Sequence, residues 1–228
     1  MKEERLLMEK TVFVPYAYQP IFETVQADRV MGYEALIRPV GMTPAEYIAK
    51  KVREGSTEEL EHSSFVNAIC QFNQRRLSGR LFINSFPYII LEDEKLDYIK
   101  NLAGAMYREI FVENLEYGLM VDAARLSRKY EGIRRMGFRV VLDDYGAGIN
   151  SVKALTAIDP EIVKIDRSFI SGCTDSVKGR NTIEIICDSI RSHNAKVLAE
   201  GVETKDEYDY LKTLKVDYMQ GFYLGRPE

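Results

Sequence analysis

The sequence has no tryptophan, three cysteines and two histidines among 228 residues, and each scarcity removes a class of chemistry. Cys70, Cys173 and Cys187 are an odd number without CxxC spacing. That excludes a disulfide framework or a cysteine zinc site and predicts buried thiols in a reducing cytoplasm. His62 and His193 each sit in a polar stretch that reads as helix, so both are expected on the surface. Neither a Ser-His-Asp relay nor a histidine-rich metal site is expected from them. There is no GxxxxGK[ST] loop and no GxGxxG after a strand. No apolar run approaches the ~20 residues of a membrane span. The start, MKEERLLMEKTVFVPYAY, mixes both charge signs and lacks the apolar core of an export signal. A basic excess is missing too: 31 Lys and Arg face 35 Asp and Glu, a formal charge of -4. That speaks against sequence-independent binding to a DNA or RNA polymer. A small anionic ligand would need local positive charge or metal ions.

What is present is an ordinary soluble composition, 46% hydrophobic and 29% charged. The length predicts one large domain or two small ones. No Pro-rich or Ser/Gly-rich linker divides the chain, and no repeat period is found. Short apolar runs predict strands at Val12–Ile21, Met31–Arg38, Leu81–Asn84, Glu109–Glu116, Phe138–Asp143, Ile162–Ile165, Lys196–Ala199 and Tyr218–Gln220. Helices are predicted at Pro44–Glu54 with Thr43 as N-cap, Glu58–Leu77, Asp122–Met136, Thr182–Ser192 and Lys205–Leu214. Gly79, Gly137 and Gly201 mark stops or turns. Repeated strand-then-helix units imply parallel strands with right-handed crossovers. An open doubly wound sheet and a closed (β/α)8 barrel both fit. About eight units in this length favour the barrel.

Polar residues fall at or just beyond the ends of these apolar runs: Glu34, Asn84, Glu116, Asp143, Asp144, Lys164, Asp166, Glu200 and Gln220. In a parallel barrel the strand C-termini converge on one face, which holds the site. Glu34, Glu116, Asp143, Asp144 and Glu200 would meet there with one amide and one lysine. Crowded carboxylates repel one another and are costly to desolvate. Divalent metal offsets both, and all-oxygen ligation selects hard cations such as Mg2+ or Mn2+. Adjacent Asp143 and Asp144 suit two ions, and paired ions are the usual device for in-line attack at phosphorus.

In this order along the chain stand YQPIFE, GYEALIRP, FIN, ENLE, VVLDDYGAG, PEIVKIDRSFI, VLAEGVET and MQGFYLGRP. With these segments the chain resembles the EAL domain family, bacterial phosphodiesterases of cyclic di-GMP, from about Tyr18 to Pro227. The resemblance implies a modified TIM barrel with one antiparallel strand, occupying 11–228 after an N-terminal extension at 1–10. It implies a cytoplasmic enzyme that opens cyclic di-GMP to linear pGpG with two Mg2+ or Mn2+ ions. It also implies a homodimer, with fusion to or control by sensor domains. By resemblance, Glu34, Asn84, Glu116 and Asp143 match ligands of the first ion. Asp143 bridges to a second ion held with Asp144 and Glu200. Glu200, Lys164 and Asp144 match catalytic positions, Lys164 holding the attacking water. Gln19, Leu36, Arg38, Asp166 and Gln220 match the substrate cleft, with Arg38 on a phosphate. A guanine stacked on Tyr223 is a further expectation.

Several positions depart from the family pattern. The usual DDFGTGYSSL reads DDYGAGINSVKAL, placing Ile149 and Asn150 in a regulatory loop. ExTE appears as Glu113-Asn114-Leu115-Glu116, NxSP as Asn84-Ser85-Phe86-Pro87, and Pro39 replaces the aromatic after EALxR. The competing reading is a catalytically weak or inactive domain that serves as a cyclic di-GMP receptor or a protein-interaction module.

Overall fold

The structure, a computed structural model, describes residues 11–26, 29–114, 122–146 and 152–228. Eight strands close a barrel in chain order: β1 (Tyr16–Glu23), β2 (Val30–Ile37), β3 (Arg80–Ser85), β4 (Ile110–Asn114), β5 (Arg139–Tyr145), β6 (Ile162–Ile165), β7 (Lys196–Ala199) and β8 (Tyr218–Met219). From β2 to β8 neighbouring strands are parallel, whereas β1 is antiparallel to both β2 and β8. The closed (β/α)8 alternative is therefore the observed one. Among the described residues the helices are α1 (Pro44–Arg53), α2 (Thr57–Gln74), α3 (Asp93–Ala103), α4 (Ala123–Arg135), α5 (Val152–Ile158), α6 (Arg167–Ile170), α7 (Val177–Ser192) and α8 (Lys205–Thr213).

Strand alternation divides the apolar residues into two cores. Ile110 and Val112 of β4 join the outer core between strands and helices, with Phe65, Ile69, Ile183 and Leu211. Phe111 of the same strand points inward, with Ile21, Phe82, Val141, Ile162, Leu198 and Tyr218. Phe82 and Phe111 stack at 4.7 Å between ring centroids. The helices begin where side chains can satisfy free N–H groups. Thr43 and Glu46 form a capping box on α1, and Thr204 and Glu207 form another on α8. The three glycines read as turns adopt positive φ, at 103° (Gly79), 88° (Gly137) and 65° (Gly201).

Four expectations need correction. The first strand begins at Tyr16, because the backbone of Val12 and Val14 finds its partners on α2 instead of on a strand. Ser63 Oγ accepts from Val12 N at 3.2 Å, Asn67 Nδ2 donates to Val12 O at 2.8 Å, and Gln71 bonds both Val14 O and Tyr16 N. The second concerns α7, which starts at Val177, five residues before the predicted Thr182, because Ser176 Oγ caps it through Gly179 N at 3.0 Å. The third is that α3, α5 and α6 were not predicted, although in α3 Leu96, Ile99 and Ala103 fall at helical spacing and are buried. The fourth is His62, which is buried, 4% exposed, on the core side of α2 with its ring 5.9 Å from that of Tyr98. His193 ends α7 half-buried, with Nδ1 3.0 Å from Ser189 O.

Candidate active site

Two residues beyond each inward apolar side chain, the same strand face presents a polar one. Phe82 leads to Asn84, Phe111 to Glu113, Val141 to Asp143, Ile162 to Lys164, Leu198 to Glu200 and Tyr218 to Gln220. Period two therefore lifts the barrel floor from apolar to polar in one step. The reversed β1 brings Gln19, two residues before Ile21, to the same level, opposite Glu34 of β2. Gln220 is fixed by its backbone, which donates to Ala199 O at 2.9 Å and accepts from Val202 N at 3.0 Å. Gly221 permits that turn, since a Cβ there would lie 2.1 Å from Val202 O.

Lys164 stands at the centre, 1% exposed. Its Nζ lies 2.7 Å from Glu200, 2.9 Å from Glu113, 3.1 Å from Asp143 and 3.4 Å from Glu34. Glu34 also accepts from Gln220 Nε2 at 2.7 Å and from Asn84 Nδ2 at 3.2 Å. Gln220 Nε2 reaches Gln19 Oε1 at 3.2 Å as well. Four carboxylates thus share one ammonium. Burial raises Glu113 and Glu200 well above the usual carboxylate range, Lys164 pulls both down in part, and neighbouring carboxylates push them up further. Asp143 is raised for the same reasons. For Glu34 burial acts upward too, but Lys164 and the two amides outweigh it and leave it lowered. Lys164 is held well above its ordinary value against its own burial.

The centre is under-neutralised and has unspent acceptors. Among the described residues, both carboxylate oxygens of Glu113 and Gln220 Oε1 are buried without a hydrogen bond, and the Lys164–Glu113 contact is close but not aligned as one. Asp143, Asp144 and Glu200 each offer an oxygen, all within 4.8 Å of one another. Asp144 takes a left-handed φ of 51°, and its N–H donates to Asp143 Oδ1 at 3.0 Å. An all-oxygen donor set short of positive charge fits a hard divalent cation.

Beside the carboxylates opens a cleft of about 330 Å³. Glu34, Asn84, Asp143, Asp144 and Glu200 form its polar wall, with Leu36 and Arg38 opposite apolar Ile48 and Phe86. Arg38 is exposed, and its Nη1 donates to Ile37 O at 3.0 Å. Asp166 lies outside the walls of this cleft. Its carboxylate caps α6, accepting from Ser168 N at 3.0 Å and from the Ser168 hydroxyl. Tyr223, 43% exposed, packs at 5.6 Å on Tyr208. Glu116, Ile149 and Asn150 lie outside the described residues. The sequence reading took Glu116 from the ENLE segment. It passed over Glu113, which is fully buried in the cluster. Strand parity was the available signal: Glu113 shares the face of Phe111.

A family model described as the EAL domain matches residues 6–227. The chain belongs to the EAL domain family. Among curated relatives of this EAL domain, the probable cyclic di-GMP phosphodiesterase PdeG of Escherichia coli is 32% identical over 227 residues, covering 94% of this chain and 44% of PdeG. This EAL domain spans less than half the length of the curated relatives it matches. A structure described as the c-di-GMP-bound form of a standalone EAL protein from Vibrio cholerae superposes with a TM-score of 0.84 at 27% identity, covering 94% of this chain and 92% of that one. A manganese and cyclic di-GMP complex of Klebsiella pneumoniae BlrP1 gives 0.82 at 26% identity, covering 94% and 56%. Among the described residues no helix is long and apolar enough to cross a membrane.

Proposed function

We propose that this EAL domain is a metal-dependent phosphodiesterase that hydrolyses one phosphodiester bond of cyclic di-GMP to give linear pGpG. The observation that carries the reading is the buried all-oxygen cluster at the barrel mouth, which its single ammonium leaves short of positive charge. Relatives named as cyclic di-GMP phosphodiesterases and neighbours holding that nucleotide support it.

In this reading Glu34, Asn84, Glu113, Asp143, Asp144 and Glu200 would hold two ions. Glu113 is taken as a ligand because the fold delivers it from β4 to the cluster, while Glu116 lies outside the described residues. Bound there, two divalent ions such as Mg2+ or Mn2+ would supply a water that ionises near neutral pH and a clamp on the attacking and leaving oxygens. The chain's own residues do the rest. Lys164 donates to whichever oxygen occupies the space among the carboxylates and keeps that water oriented. Gln220 and Asn84 fix the Glu34 carboxylate from both sides, so its oxygens are placed before a ligand arrives. Arg38 on the cleft rim offers a planar fork to a substrate phosphate. Leu36 and the apolar wall remove water from the nucleotide.

The test is anion-exchange separation of cyclic di-GMP and pGpG after incubation with the purified chain and Mn2+ or Mg2+. Linear product should appear with metal and vanish with chelator or in Asp143→Asn. Tight binding of the nucleotide with no product under either metal would instead establish a receptor.

A further inference from the structure

The end of the barrel opposite the carboxylates carries a second groove of about 460 Å³. It lies where chains enter strands: the last turn of α3, the 3-10 turn Gly104–Glu109, the end of α4 and the approaches to β5 and β6. Lys100, Arg108, Arg134, Arg135 and Arg139 line it, and Glu161 is the one acid among its walls.

Among the described residues, most of these cations are not paired with a carboxylate. Arg108 Nε donates to Tyr107 OH at 2.7 Å, a neutral phenol. Lys100 Nζ sits 4.9 Å from the centre of the Tyr107 ring. Arg134 Nη2 donates to the carbonyls of Ile158 and Asp159. Of the five, Arg139 alone meets a carboxylate among the described residues, Glu161 at 2.6 Å, while its Nε donates to Arg108 O at 3.1 Å. The carbonyl ends of α3 and α4 explain a cation or two at such a place. They do not explain Arg108 and Arg139, which sit on other elements and close the ring. Five cations around one groove repel one another, on a chain whose net charge is -4. The neutral partners of Lys100, Arg108 and Arg134 fix those three and leave their repulsion standing.

We propose that this groove binds a multivalent phosphate anion, free in solution or displayed on a lipid surface. Guanidinium groups match phosphate oxygens in paired hydrogen bonds, and a charged acceptor binds them more strongly than the neutral phenol and carbonyls that hold Arg108 and Arg134. The volume is that of a small-molecule site. The phenol ring, already in contact with Lys100 and Arg108 and set against Gly137, leaves no free platform for a base. Recognition is therefore of charge. The site stands at the far end of the barrel from the cleft and does not depend on the phosphodiesterase reading.

The experiment is calorimetric titration of the full chain with inorganic pyrophosphate in chelator, so that the carboxylate mouth stays anionic and repels the probe. Saturable binding is expected, weakened about tenfold or more in the Arg108→Gln/Arg135→Gln variant. Binding should also weaken as salt shortens the range of charge. Sedimentation with phosphatidylglycerol vesicles against phosphatidylcholine vesicles separates the sources. Binding to the anionic vesicles without pyrophosphate binding assigns a lipid surface, and the reverse assigns a free anion. No binding of either probe by wild type overturns the proposal. So does equal binding by the variant, whose fold is checked by its melting temperature.

Discussion

Behind β3 a lysine and a glutamate are sealed in the protein, and replacing the lysine tests how the site is held. Lys129 of α4 and Glu61 of α2 are 3% and 2% exposed and 3.3 Å apart. Lys129 Nζ also donates to Ser85 Oγ at 2.7 Å and to the carbonyl of Phe86. Glu61 accepts from the Ser85 hydroxyl and, at 3.0 Å, from Phe86 N. Ser85 and Phe86 immediately follow Asn84, so the pair clamps the strand end that presents the amide to Glu34. Lys129→Met keeps the stem and removes the charge. It leaves a buried carboxylate without its cation, a loss of about 3–5 kcal/mol. For a chain of this size that lowers the melting temperature by roughly 6–20 °C. Lys129→Met/Glu61→Gln should recover part of the loss, since both charges are then gone and the coupling of touching groups is about 0.5–3 kcal/mol. Urea denaturation by linear extrapolation reads all three proteins. A single variant within about 0.5 kcal/mol of wild type, the size of an ordinary surface change, would refute the account.

Other expectations follow from the same structure. Mn2+ at about a hundred times its dissociation constant should add about 2.7 kcal/mol of stability, and Asp143→Asn should lose that gain in thermal scanning. Glu113→Gln should weaken metal affinity by about 10–100-fold or more, a loss read by calorimetry; an unchanged affinity would remove Glu113 from the ligand set. His62 is pushed down chiefly by burial, with Lys95 adding to it, so the folded chain binds its proton less readily than the unfolded one does. Stability from this residue is complete above the unfolded value near 6.5 and is lost as pH falls through the folded one, at a slope of at most about 1.4 kcal/mol per unit. His62→Gln should flatten that part of the stability–pH curve, and an unaltered slope would show that other groups set it.

Strand-end residues were legible because a parallel barrel gives polar side chains on apolar strands one destination. Glu34, Asn84, Asp143, Lys164, Glu200 and Gln220 all arrive there. Glu113 escaped because the apolar run was counted to its last acid, whereas the pleat counts in twos from Phe111. The β1 boundary was missed for a different reason. Val12 and Val14 look like strand, but their hydrogen-bond partners are amides on a helix more than 50 residues away, which no local pattern records. His62 was misplaced because its polar neighbours in sequence, Glu61 and Ser63, are themselves buried. The Glu61–Lys129 pair joins distant segments and has no short-range signature.

The ammonium among the acids has a consequence for how this protein comes into being. Many small metalloproteins stay unfolded until their ion arrives, since bare ligands repel one another. Here the polypeptide carries its own resident counterion in Lys164, so closing the barrel over these acids does not require a divalent ion. On the metal-dependent reading proposed above, folding and ion loading would be separate events.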